Sequence, residues 1–183
     1  MIGKGKSISH GVAALEYDLA KEINGQAVAT EIARHELYGC TGAEMVQEMK
    51  PYHIDFPNVK NNCLRFEVSP SIEESATFTD ADWAELGNDF MQRMGLANHQ
   101  YIIIRHSGTE SKKEQAHLHI LANRVSLSGE LYRDNWIGKK ATEAANAIAK
   151  ERNFVQSQDI GKVNKAEIKE AMDGVLKKMQ GFD

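Results

Sequence analysis

The segment Ala116–Val125 constrains the fold more than any other part of this sequence, because it sets two histidines inside an apolar run. His117 and His119 alternate with Leu118 and Ile120. Successive side chains of a β-strand point to opposite faces of its sheet, so both imidazoles share one face while the two aliphatic side chains point into the core. The segment therefore predicts a central strand that carries a polar site.

A third histidine, His106, ends the preceding apolar segment Tyr101–Arg105, which also has the composition of a strand. If the two strands pair antiparallel around a loop at 107–115, His106 comes to lie beside His117 and His119. Neutral imidazole is a common ligand of divalent metals, and three such ligands leave coordination positions open, which suits catalysis. A polar sheet face without metal is the simpler interpretation, but the convergence of three histidines favours a metal site.

The rest of the sequence predicts an α+β fold, in which a central antiparallel sheet carries helices packed on its faces. Alternating hydrophobicity predicts a further strand at Leu64–Val68, which ends before Pro70. Helical periodicity, capping residues and composition predict helices at 41–50, 79–95 and 139–152.

The two ends of the chain are both predicted to be helical. At the N-terminal end, Gly25 marks the stop of a helix with apolar residues at helical spacing, namely Val12, Leu15, Leu19 and Ile23. Tyr17 lies on this helix, away from the apolar stripe. A last helix is predicted to start at Asn164, with Glu167 in the capping position. We divide the chain into a main domain, 1–160, and a C-terminal helix, 161–183, which packs on that domain or leads to a further region.

The composition is that of a soluble globular protein, with 42% hydrophobic and 26% charged residues. No run of about 18 apolar residues is present, so no membrane insertion is expected. Cys40 and Cys63 are the only cysteines and form no disulfide framework, which favours the cytoplasm. Because the net charge is −4, a surface that binds phosphates has to be local.

Two motifs resemble those of a known family. The run Ile102-Ile103-Ile104-Arg105-His106, followed by residues 117–125, HLHILANRV, resembles the three-histidine motif of mobilisation relaxases, which belong to the HUH endonucleases. The nucleophilic tyrosine of that family precedes the histidines, and residues 12–19, VAALEYDL, are similar to its tyrosine motif. The resemblance covers roughly residues 1–135 and identifies Tyr17 as the nucleophile. Tyr38 is the rival, while Tyr52 and Tyr132 are less favoured.

The resemblance implies an HUH relaxase-like sheet and a metal-dependent, strand-specific nicking reaction at a DNA transfer origin. His106, His117 and His119 would hold the ion, with Mg²⁺ or Mn²⁺ expected. The tyrosine would form a 5′-phosphotyrosyl intermediate and leave a free 3′-hydroxyl. The implied partners are single-stranded DNA at the origin and accessory mobilisation proteins, and the implied role is conjugative mobilisation of a plasmid or transposon.

The sequence departs from the family pattern beside the first histidine. Family members often have an acid two residues after it, where this chain has Gly108, and the following loop is longer and contains Lys112, Lys113 and Glu114. We therefore expect another acid to orient the histidines, and Glu67, on the polar face of its strand, is the candidate. The expected DNA-binding residues are basic: Lys4, Lys6, Arg124 and Arg133.

Three other functions are compatible with parts of the pattern. A histidine-triad nucleotide hydrolase would need a third alternating histidine, but that position is Leu121. A replication initiator of the HUH class would carry its tyrosine after the histidines, and no tyrosine follows Tyr132. A DNA-binding accessory module with a non-catalytic metal site would form no covalent adduct with DNA.

Overall fold

A computed structural model describes residues 1–108 and 115–157, together with residues 159, 162, 165, 168–173 and 175. A 3₁₀ turn at Lys50–His53 follows the helix at Gly42–Met49 and leads into the loop before the strand at Cys63–Ser69. The strands and helices are, in chain order, β1 (Ile2–Ile8), α1 (Gly11–Leu19), β2 (Glu22–Ile23), β3 (Gln26–Ala27), β4 (Ala29–His35), α2 (Gly42–Met49), β5 (Cys63–Ser69), α3 (Ile72–Ser75), α4 (Asp80–Arg93), β6 (His99–His106), β7 (His117–Ser126) and α5 (Ile137–Glu151).

Five of these strands form one antiparallel sheet in the order β1-β5-β7-β6-β4. The predicted histidine strand, β7, is the middle strand. Its pairing with β6 sets His106 opposite His117 and Ile104 opposite His119. The predicted α+β architecture and the antiparallel pairing of the two histidine strands are confirmed.

Each face of the sheet carries a hydrophobic core. Leu118 and Ile120 lie in the core on the face covered by α4 and α5, as the alternation predicts. Ile104 and Leu121 point the other way, into the core shared with α1 and α2. Because His106, His117 and His119 alternate with residues of the first core, all three lie on the face covered by α1 and α2.

The edge strand β1 was not predicted, because its sequence IGKGKSI contains two glycines, which are uncommon in strands. Here they allow α5 to pack closely. A β-carbon at Gly3 would lie 2.6 Å from Cβ of Ala145, and one at Gly5 would lie 2.8 Å from the ring of Phe66. Lys4 lies between the two glycines, and Lys6 follows the second one. Both lysines consequently lie on the face that carries the histidines.

The predicted end of the first helix is wrong. Helix α1 ends at Leu19, and Ile23 belongs to the small hairpin of β2 and β3. Asn24 and Gly25 both have positive φ, 53° and 74°, as the tight turns of two-residue hairpins require. The Asn-Gly pair was the signal for this turn. Strand β4 was not predicted, because a bulge between Glu31 and Ala33 breaks the alternation of its side chains between the two faces of the sheet.

The C-terminal part of the chain contains a helical stretch at 168–173 whose side chains are exposed. The predicted helix start at Asn164 and Glu167 lies outside the described residues, so the division into 1–160 and 161–183 stays a prediction. None of the described helices combines the length and the hydropathy needed to cross a bilayer.

Candidate active site

The three predicted histidines form one cluster at the loop-side ends of β6 and β7. The ring centroids of His106 and His119 are 4.4 Å apart, and those of His117 and His119 are 4.9 Å apart. The Nε2 atoms of His117 and His119 approach to 3.0 Å. The period of the strand and the antiparallel register thus bring together residues that are 11 and 13 positions apart in the sequence.

Hydrogen bonds to backbone carbonyls orient two of the rings. His106 Nε2 donates to the carbonyl of Asp18 at 2.7 Å, and His117 Nδ1 donates to the carbonyl of Gln115 at 3.0 Å. In each bond, the donating nitrogen carries the ring proton. The other nitrogen, Nδ1 of His106 or Nε2 of His117, keeps its lone pair. Such bonds typically fix the tautomer of histidines that bind metals.

The surroundings of His106 and His119 favour the neutral form of these two rings. Burial is the largest cause of a pKa of about 2 at His119. The other causes are electrostatic, because His106, His117, Arg65 and Lys4 all disfavour a proton on this ring. Burial also lowers the pKa of His106; the hydrogen bond to Asp18 opposes this shift, while Lys21 contributes to it. A neutral ring offers the lone pair that a metal ion requires.

This donor set fits a divalent ion. One nitrogen from each of the three rings lies within 4.8 Å of the others. Nitrogens that share an ion at about 2.1 Å are separated by roughly 3 to 4.2 Å, so small rotations of the rings suffice. Three imidazole ligands leave positions for a substrate oxygen or water, as in catalytic sites.

Asp18 completes the cluster, and the sequence analysis missed it. Its carboxylate is 1% exposed and accepts two hydrogen bonds from Arg65, at 3.0 and 2.5 Å. Asp18 Oδ1 and Arg65 Nη2 lie 3.7 and 3.3 Å from His119 Nδ1. The Asp18 carboxylate thus holds Arg65, whose guanidinium donates to the outer edge of the His119 ring, while the Asp18 carbonyl holds His106. The signal available in the sequence was only its position next to Tyr17.

Glu67, the predicted orienting acid, has a different partner. It lies opposite His119 in the sheet register, but its carboxylate accepts a hydrogen bond from Lys4 Nζ at 3.0 Å and is 36% exposed. Glu67 and Lys4 line a cavity of about 200 Å³ beside His119, together with Gly5, Lys6, Arg65 and Phe66. We call this cavity the lysine groove. The structure therefore brings Lys4 and Lys6 next to the histidine cluster.

Tyr17 lies on the exposed side of α1. Its ring is 56% exposed, whereas the next residue of α1, Asp18, is buried against the histidines. The Tyr17 hydroxyl accepts a hydrogen bond from Lys21 Nζ at 2.8 Å. Because the charge of Lys21 also acts on His106, the hydroxyl and the cluster share this lysine as a neighbour.

Tyr38 has surroundings that oppose nucleophilic attack. It is 75% exposed in the loop after β4, and its hydroxyl donates to Glu36 at 3.0 Å. This hydrogen bond, followed by the negative charges of Glu36 and Glu48, raises the pKa of the Tyr38 phenol. A phenol that is harder to deprotonate is a poorer nucleophile.

The two predicted DNA-binding arginines are not part of the cluster. Arg124 lies five residues beyond His119 on β7, about 17 Å away. Its guanidinium donates to the carbonyls of Asn61 and Tyr132 and forms an ion pair with Asp134 at 2.6 Å. Arg124 therefore joins three backbone segments. Arg133 is exposed in the segment that leads to α5.

Comparison with known proteins agrees with this arrangement. A family model described as "Relaxase: MobA/VirD2-like, nuclease domain" matches residues 17–154, well over half of the chain. The chain belongs to this relaxase family. A comparison with curated proteins finds no significant match. The match to the relaxase model begins at Tyr17 and includes Asp18 and the three histidines, whereas β1, with Lys4 and Lys6, precedes it.

We expect replacement of Asp18 by asparagine to weaken both the fold and the metal site of this relaxase. The partly exposed Arg65 would lose its buried ionic partner, which should cost about 1–3 kcal/mol of unfolding free energy. Loss of a group that orients metal ligands typically lowers metal affinity about 10- to 100-fold. Urea unfolding and calorimetric titration with Mn²⁺ measure the two effects.

Asp134→Asn is the matched control for Asp18→Asn, because it removes the carboxylate from another arginine pair, at 2.6 Å from Arg124, away from the histidines. It should lower stability and leave Mn²⁺ affinity unchanged. Equal Mn²⁺ affinities in the two variants would restrict Asp18 to a structural role.

Proposed function

We propose that this relaxase domain nicks one strand of DNA at a transfer origin by transesterification, with Tyr17 as the nucleophile. The observation that carries the proposal is the convergence of three imidazoles on the sheet face that is covered by α1, the helix that carries this tyrosine. Attack on a phosphodiester needs a tyrosine whose oxygen accepts a hydrogen bond from a cation, together with a site for a divalent ion.

The reaction exchanges one phosphodiester bond for another. The Tyr17 oxygen forms a bond to phosphorus while the bond from phosphorus to the 3′-oxygen breaks. The phenolic proton leaves to solvent and the 3′-oxygen takes up a proton, which gives a 5′-phosphotyrosyl adduct and a free 3′-hydroxyl. A Mg²⁺ or Mn²⁺ ion held by His106, His117 and His119 would supply Lewis-acid polarisation of the scissile phosphate. Because the two ester bonds are similar in energy, the reverse reaction reseals the strand.

Other residues around the cluster have separate roles in the proposed reaction. Lys21 donates a charged hydrogen bond to the tyrosine oxygen, where negative charge develops during attack. Asp18 and Arg65 hold His119 and limit rotation of its ring. Lys4 and Lys6, along the lysine groove, bind the phosphates that continue from the nick site. The substrate is single-stranded near the nick, since a duplex phosphodiester does not reach a tyrosine and three histidines at once.

We expect Lys21→Met to slow adduct formation about 10- to 100-fold, the effect typical of losing one electrostatic contact to a developing charge. Methionine retains most of the aliphatic stem and removes the ammonium group. Single-turnover rates measured at saturating Mn²⁺ and DNA separate this effect from binding. Lys139→Met, which removes an exposed lysine of α5, is the control and should react at the wild-type rate. Equal rates for both variants would exclude an electrostatic role for Lys21.

The test of the proposed function is covalent capture of DNA. A single-stranded DNA library with a randomised centre is incubated with the protein and Mn²⁺ or Mg²⁺, and adducts that survive denaturant are isolated and sequenced. The proposal requires adducts at one preferred sequence, with a 3′-hydroxyl on the released strand that a polymerase can extend. Binding of DNA and Mn²⁺ without any adduct would instead identify a non-catalytic accessory module.

A further inference from the structure

Trp136, at the start of α5, is the most exposed large apolar side chain in the part of the chain that the structure describes. It is 81% exposed, whereas the other tryptophan, Trp83, is 2% exposed in the core. A large aromatic ring held in water is unfavourable unless a partner covers it. Neither the fold nor the proposed chemistry uses this side chain.

The backbone at Trp136 also departs from what the residue prefers. Its φ and ψ are 58° and 28°, in the left-handed region, which bulky residues rarely adopt and which glycine or asparagine adopts more easily. A glycine would therefore serve the backbone better at this position. The presence of tryptophan indicates that the ring itself has a use.

The charged residues near Trp136 in the sequence are mainly basic, namely Arg133, Lys139 and Lys140 against Asp134 and Glu143. Arg133 is exposed, and Lys140 lies over the ring of Tyr132 at 5.0 Å. Of the nearby acids, Asp134 is paired with Arg124, and Glu143 lies 3.8 Å from Lys139. An exposed aromatic ring with neighbouring cations is the combination that binds the bases and phosphates of a single strand.

The position of α5 connects this ring to the lysine groove. Gly138, two residues after Trp136, packs against β1, where a β-carbon would lie 3.5 Å from the carbonyl oxygen of Gly5. Lys4 and Lys6 flank Gly5 on the opposite face of this strand, and β1 is an edge of the sheet. A DNA strand that follows the groove away from the histidines and passes over this edge comes to the start of α5, the helix that Trp136 precedes.

We infer that Trp136 is a stacking platform for a base of the single-stranded DNA that leaves the lysine groove. This inference rests on the proposed function for its ligand class and extends the DNA contact beyond the nick site. Stacking on an aromatic side chain tolerates any base, so the subsite contributes affinity and position with little sequence preference. Its contribution does not depend on the metal or on Tyr17.

The test uses Trp136→Gly, because glycine removes the ring and suits the left-handed backbone, so the variant should melt no lower than wild type. Affinity for a labelled oligothymidine of about 20 nucleotides is measured by fluorescence anisotropy without metal. We expect about 5- to 100-fold weaker binding, the range for loss of one stacked base. Trp136→Phe should recover most of the affinity. Tyr38→Ala, which removes an exposed aromatic ring from an acidic loop, should bind as wild type does.

Two further readouts separate stacking from charge and from catalysis. Oligothymidine should quench the tryptophan fluorescence of the wild type much more than that of Trp136→Phe, whose remaining tryptophan is buried. The slope of log affinity against log salt should stay unchanged in Trp136→Gly and decrease in Lys6→Gln. Wild-type affinity and absent quenching would overturn the inference even if the wild type forms the covalent adduct. Weak binding by Trp136→Gly without any adduct in the wild type would retain the platform and reject the nicking reaction.

Discussion

Replacing Tyr17 with phenylalanine should abolish the covalent adduct with DNA, by at least about a thousandfold, the scale seen when a nucleophile is removed. Only the hydroxyl is lost, and with it the hydrogen bond to Lys21. The ring is 56% exposed, so the fold should change by no more than about 0.5 kcal/mol. Mn²⁺ affinity and single-strand affinity should stay near wild type. A denaturing gel with end-labelled DNA measures the adduct.

Tyr38→Phe is the matched control for this experiment. Tyr38 is also an exposed tyrosine with a charged hydrogen-bond partner, but that partner, Glu36, disfavours the phenolate form. The variant should therefore form the adduct at the wild-type rate. Loss of the adduct in Tyr38→Phe together with its retention in Tyr17→Phe would move the nucleophile to Tyr38. The metal site would be unaffected by that result.

The central strands could be predicted because their physical signals are local. The alternation around His117 and His119 fixed which side chains enter the core, and the pairing of β6 with β7 followed from the short connection. Strand β1 could not be predicted in the same way, because Gly3 and Gly5 are explained by distant parts of the chain: Phe66 on β5 and the helix α5, which is more than 130 residues away in the sequence. Its close packing becomes visible only in three dimensions.

The same distinction applies to the candidate site. The three histidines belong to two neighbouring strands and could be found by spacing alone. Asp18 orients one of them through Arg65, which is 47 residues away, so no local pattern marks this acid. Arg124 was expected near DNA because of its charge and its position after the histidines. The strand carries it about 17 Å beyond them, where it donates to two backbone carbonyls and pairs with Asp134, and its contact with DNA stays a prediction.

The positive charges around the histidines have two opposite effects on metal binding. Lys4, Arg65 and Lys21 all disfavour protonated imidazole, yet they also disfavour a bound cation. The buried carboxylate of Asp18 offsets part of this repulsion at the side of His119. The phosphate of a bound DNA strand would offset more, since its negative charge lies next to the same cations. Metal and DNA should therefore each bind more tightly when the other is present.

Replacement of any one of His106, His117 and His119 by alanine should lower Mn²⁺ affinity at least about a hundredfold, more than the loss of an orienting group. Adduct formation should fall with it, because the remaining two rings leave the ion weakly held. In the wild type, EDTA should stop the reaction and added Mn²⁺ or Mg²⁺ should restore it. Titration calorimetry and the gel assay follow the two properties on the same samples.

His10→Ala is the control for the three histidine variants, because His10 is an exposed histidine that precedes α1. It should bind Mn²⁺ and form the adduct as the wild type does. Circular dichroism should show all four variants folded, since the three clustered rings lie on the polar part of the sheet face and Leu118 and Ile120 keep their core contacts. Wild-type Mn²⁺ affinity in the three variants would place the ion elsewhere. Lost affinity with an unchanged nicking rate would separate the ion from the chemistry and leave Tyr17, Lys21 and the basic side chains to carry the reaction.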